Sequence, residues 1–69
     1  MSKVSRGDRV IAAKRIGGIW RPEIPKGTRG VVIEGGWTRP ARVQFTIEGW
    51  LADRIVEVTV EDAEIELIR

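Results

Sequence analysis

The sequence has no cysteine, no histidine and no tyrosine. Without cysteine there is neither a disulfide framework nor a thiolate metal site to brace a small core. Without histidine the usual general base near neutral pH is missing. Ser2, Ser5 and the threonines therefore have no imidazole to activate them. Catalysis is left to carboxylates or to several subunits sharing a pore, and the residues point away from an enzyme. No catalytic residue, no metal-ligand set and no cofactor is expected. Long apolar runs are missing as well: nothing approaches the ~20 residues of a membrane helix, and no signal-peptide pattern opens the chain. The expectation is a soluble, cytoplasmic protein that makes no use of a membrane.

Aromatic residues are few, three Trp and one Phe, so their placement carries information. Trp20 lies in "RIGGIWRPEIPKGTRG", Arg15–Gly30, among paired glycines and two prolines. Such a stretch is neither a helix nor a central strand. An irregular loop of this length inside a 69-residue chain is of the kind that usually carries function. Pro22 and Pro25 stiffen it, which lowers the entropy lost on binding.

What the chain has in quantity is strand pattern. Runs at Asp8–Lys14, Thr28–Glu34, Ala41–Ile47, Ile55–Val60 and Glu64–Ile68 are rich in β-branched residues. In the third run Val43, Phe45 and Ile47 alternate with Gln44 and Thr46; in the fourth, Val56, Val58 and Val60 alternate with Glu57 and Thr59. Period two marks half-buried strands. Breakers separate the runs at Gly35–Pro40, Glu48–Arg54 and Glu61–Ala63. This order of strands and loops describes an all-β protein, a small five-stranded antiparallel SH3-like barrel. Closing such a sheet hides edges that would otherwise pair with other chains. Residues 1–5 form a flexible N-terminus and residues 6–69 one domain. Val10, Val32, Val43, Phe45, Val58 and Leu67 are expected in its core, with Trp50 as a lid over it. Gly27 and Gly30 are expected to serve turn geometry and a strand bulge. A core this small, with aromatics at the surface, is compatible with a weak homodimer.

Several SH3-like families share these elements. "KGTRGVV", with Gly27, Gly30 and Val32, resembles the glycine-containing element of KOW-type modules. "RPARVQF", with Pro40, Val43 and Phe45, followed by the acidic turn of "VEDAEIELI", resembles the small SH3-like subunit of photosystem I. The first resemblance implies binding to RNA, DNA or their protein partners, and the second implies protein docking. The plasmid-borne dihydrofolate reductase has the same fold, but carries Val-Gln-Ile-Tyr on its fourth strand. This chain has Val56-Glu57-Val58-Thr59 there, and so lacks that stripe.

Charge is divided unevenly. Residues 1–42 carry ten Lys/Arg against three Asp/Glu, and residues 43–69 carry two against seven. Such asymmetry marks either a nucleic-acid contact or opposite charges meeting on neighbouring strands. Trp20 stands among Arg15, Arg21, Lys26 and Arg29, and Trp37 stands beside Arg39 and Arg42. An aromatic interleaved with cations stacks on a base while the cations neutralise phosphates. The same residues also suit a groove for a protein partner. Both readings, nucleic-acid module and protein-docking adaptor, use Arg15, Trp20, Arg21, Lys26, Arg29, Trp37, Arg39 and Arg42. Glu61, Asp62, Glu64 and Glu66 are expected on a solvated face or paired with Arg9, since they lack the ligand-rich loop of a calcium site.

Overall fold

A computed structural model of the protein describes residues 4–35 and 40–68. Five strands form in the order the alternation predicts: β1 (Arg9–Ala12), β2 (Arg29–Glu34), β3 (Ala41–Ile47), β4 (Arg54–Val60) and β5 (Ile65–Leu67). A single 3-10 turn, Asp62–Glu64, joins the last two. All pair antiparallel in one sheet of order β4-β3-β2-β1-β5. Residues of every strand, from Val10 on β1 to Ile65 on β5, share one hydrophobic core. This is the architecture of a small SH3-like barrel, but left open. The edges are β4 and β5, and no ladder joins them among the described residues.

Alternation explains which side chains face inward. Val43 and Phe45 on β3, and Val58 and Val60 on β4, are buried, while Arg42, Glu57 and Thr59, at alternate positions, face water. Val10, Val32, Val43, Phe45 and Val58 are core residues as expected. Leu67 is not: it is 40% exposed. It stands at the far end of a three-residue edge strand, where Ile65 alone of the three turns into the core. Of the N-terminal segment expected to be flexible, residues 1–3 lie outside the described residues, while Val4 and Ser5 are held in place. Val4 is part of the core, and the Ser5 amide donates to Asp8 Oδ2 at 2.8 Å.

The two glycines of "KGTRG" do different work. Gly27 has φ +87 in a turn closed by the Thr28 amide donating to the Pro25 carbonyl at 3.2 Å. A glycine at that position of the turn avoids the Cβ clash of left-handed backbone. Gly30 is not at the bulge, which lies where the β2–β3 register shifts between Val32 and Glu34. Gly30 pairs regularly with Val10 and Phe45. Its role is close approach: a Cβ there would sit 2.8 Å from both the Phe45 ring and Val43, and 3.0 Å from the Gln44 carbonyl. Gly30→Ala is thus expected to cost about 1–3 kcal/mol by overpacking. A urea titration checks this, and a midpoint equal to that of the parent would refute the packing account.

Candidate binding surface

The β1–β2 connection, residues 13–28, departs from an irregular loop. Ile16 and Ile24 form an antiparallel bridge, exchanging backbone hydrogen bonds of 2.9 and 2.6 Å. Both side chains are fully buried in the core. The connection is therefore a small hairpin laid against the sheet, with Gly17–Glu23 as its tip. Its foot is closed by the Gly27 amide donating to Ala12 O at 2.8 Å and the Ala12 amide donating to Thr28 O at 2.9 Å.

A side-chain clamp fixes the tip. Arg21 Nη1 and Nη2 donate to the two oxygens of Glu64, each at 2.8 Å, and Nη1 also reaches the Thr59 carbonyl at 3.3 Å. Glu64 Oε1 accepts in addition the Glu61 amide at 2.9 Å. The side chains are 35% and 10% exposed, Arg21 and Glu64 respectively. The fork of the guanidinium matches the carboxylate, which makes this the strong kind of ion pair. Arg21's hydrogen bonds hold the Glu64 carboxyl below the usual carboxylate range; burial opposes this, and the Glu61 amide assists it. The hydrogen bond to Glu64 in turn holds the Arg21 guanidinium above its ordinary value.

Hairpin alternation puts the feet of the first and second connections at opposite ends of the sheet. The clamp lies at the first connection's own end, where the Ala13 amide donates to the Glu64 carbonyl at 2.9 Å and Ala12 pairs with Ile65.

With these contacts in place the candidate residues separate into groups. Arg21 is a structural cation. Arg15 Nε donates to Glu23 Oε1 at 2.7 Å, with both side chains largely exposed. Arg42 stands 3.9 Å from Glu34 across the β2–β3 ladder. Three of the arginines proposed for one basic field thus each face a carboxylate. Lys26 and Arg29 face none among the described residues, and both lie at the hairpin's foot. Trp37 and Arg39 lie outside the described residues. Glu64 is neither on a strand face with Glu66 nor paired with Arg9, because the 3-10 turn rotates it inward to Arg21.

Trp20, next to the clamp, is 92% exposed, and Ile19 beside it is exposed too. Trp50 is not a core lid. It is 94% exposed in the β3–β4 turn, with Leu51 also exposed and Ile55 following on β4. Among the described residues no group of three or more acidic side chains gathers as a metal site, and no helix is long and apolar enough to cross a membrane.

Neither family models, curated proteins nor solved structures gave a match to this chain. Its reading rests on its own geometry.

Sequence reasoning missed Ile16, Ile24 and Glu64. A signal existed for the first two. Two charge–isoleucine doublets, Arg15-Ile16 and Glu23-Ile24, flank the glycine-rich tip at matched positions, as the arms of a hairpin would. For Glu64 there was none, since its partner Arg21 is distant in the chain and no periodicity links them.

Proposed function

We propose that this protein is a non-catalytic docking module that takes an extended apolar segment of a protein partner on the Ile19–Trp20 tip. One observation carries the reading: Trp20 is almost wholly exposed on a hairpin fixed at three points, while Arg15 and Arg21 beside it are already held by carboxylates. A large aromatic on a rigid support binds with little loss of entropy, and tryptophan is prominent among interface hot spots. With the flanking cations neutralised within the chain, the tip offers apolar area rather than a field for phosphates. The Glu64 carboxylate is committed to holding the loop through Arg21.

The test is selection of binders from a displayed peptide library at physiological salt. The expected result is peptides whose affinity falls about thirtyfold or more in Trp20→Ala, the hot-spot range, while the variant melts like the parent. A nucleic-acid module would give another outcome: no peptide that depends on Trp20, and oligonucleotide binding whose log affinity falls with log salt by about 0.7–0.9 per phosphate contacted. That outcome would replace the docking reading.

A further inference from the structure

A second surface lies at the foot of the hairpin, apart from the Ile19–Trp20 tip. There the turn at Lys26–Thr28, the first residue of β2 and the last residues of β3 enclose a shallow cavity of about 650 Å³. That volume falls in the usual range of small-ligand sites, about 300–1,000 Å³. Its lining includes Lys26 and Arg29, neither of them in an ion pair among the described residues. Glu48 is the one acidic residue in that lining, so the concavity keeps a net positive charge. The Thr28 hydroxyl donates to the Pro25 carbonyl at 2.7 Å and is committed. Thr46 also lines the cavity, and its hydroxyl has no hydrogen-bond partner among the described residues.

The chemistry that meets two cations and a free hydroxyl is an oxyanion. A guanidinium offers paired N–H donors in a plane, and an ammonium adds a compact charge. The cavity is larger than a bare phosphate needs. Glu48, in its wall, immediately precedes the turn that exposes Trp50 and Leu51. We propose that this cavity is a binding site for a phosphate ester, with the phosphate between Lys26 and Arg29 and the rest of the ligand in the volume beside Thr46 and Ile47; Trp50 is not part of the lining. Glu48 opposes the anion and sets an upper limit on affinity.

The probes are inorganic phosphate, adenosine monophosphate and a short single-stranded oligothymidylate, each titrated at low salt into the full chain while amide chemical shifts are followed. Saturable shifts are expected at residues 26–29 and 46–48. Lys26→Gln and Arg29→Gln should each weaken every probe about two- to fivefold, the worth of one exposed charge contact. Glu48→Gln should tighten them about twofold. Arg15→Gln, whose partner is Glu23, should change nothing. If the oligomer binds much more tightly than the monophosphate, the ester is that of a nucleic-acid strand. If the two are similar, it is a free nucleotide or a like monoester. Both patterns support the site. Shifts that do not saturate by roughly 10 mM, that scatter over the whole surface, or that persist unchanged in Lys26→Gln and Arg29→Gln overturn it. Both substitutions are at exposed positions, and a retained parent spectrum elsewhere verifies the fold. Trp20→Ala leaves this site intact, so its failure and that of the docking tip are separately visible.

Discussion

Ile24→Ala is expected to remove about 2–5 kcal/mol of stability, the range for emptying a buried isoleucine site. A chain of 69 residues has on the order of 0.05–0.15 kcal/mol per residue to lose, so this one change takes a large share of the total. Ile24 is fully buried and its backbone bridges Ile16. The substitution therefore opens the core and loosens the hairpin that presents Trp20. Two companions make the measurement specific. Ile24→Val should cost about 0.5–1.5 kcal/mol, and Ile19→Ala, at an exposed position of the same hairpin, should stay within about 0.5 kcal/mol. Thermal and urea unfolding of the three variants checks the ranking. Equal losses for Ile24→Ala and Ile19→Ala would mean that the connection is not anchored as described.

Arg21→Ala should show the second-largest effect, with a dependence on pH. The substitution leaves Glu64 nearly buried with the Glu61 amide as its remaining hydrogen-bond donor among the described residues and the Lys14 charge at longer range. Removing one partner of a buried pair costs about 3–5 kcal/mol. Since water reaches a third of Arg21, screening reduces this to about 2–3 kcal/mol. For a domain of this size that lowers Tm by about 10–20 °C. Glu64 titrates lower in the folded chain than in the unfolded one, where glutamate has a pKa of about 4.3. The stabilisation from the pair is therefore complete above that value, and declines as pH falls through the lower, folded value. The Arg21→Ala penalty should be full at neutral pH and shrink in acid. Arg15→Ala, whose pair with Glu23 is largely exposed, should cost less than about 1 kcal/mol at any pH. A penalty for Arg21→Ala that matches Arg15→Ala, or that is constant from neutral pH to about pH 3, would show that the clamp does not hold the loop.

The strands were legible because a period of two leaves a mark in every segment where one face is buried. Val43, Phe45, Val58 and Val60 carry that mark, and all are core residues. Leu67 carries it too, but lies where the sheet ends and stays 40% exposed. Trp50 shows the limit of composition: a large apolar side chain beside acids fits a lid or an exposed anchor equally well, and the turn places it outside. The site was legible only in part. Trp20 was visible as an aromatic in a stiff loop, while the state of Arg21 depended on a carboxylate far along the chain. Local pattern says which residues are charged. The fold decides which of those charges are already spent on one another.

The pairing of β1 with β5 has a kinetic side. Val10 lies opposite Leu67, so the first strand finds its outer neighbour only in the last. The 3-10 turn that supplies Glu64 to the Trp20 hairpin comes immediately before that last strand. β1 to β4 can associate before β5 docks, but the β1–β5 ladder must wait for that strand, and the clamp must wait for the 3-10 turn before it. Closing such long-range pairs is slow compared with local hairpins, with rates for β topologies in the range of milliseconds to seconds. Until both ladder and clamp form, β1 is unpaired on one side and the Trp20 hairpin unclamped, the state in which the folding chain is most open to association with other chains.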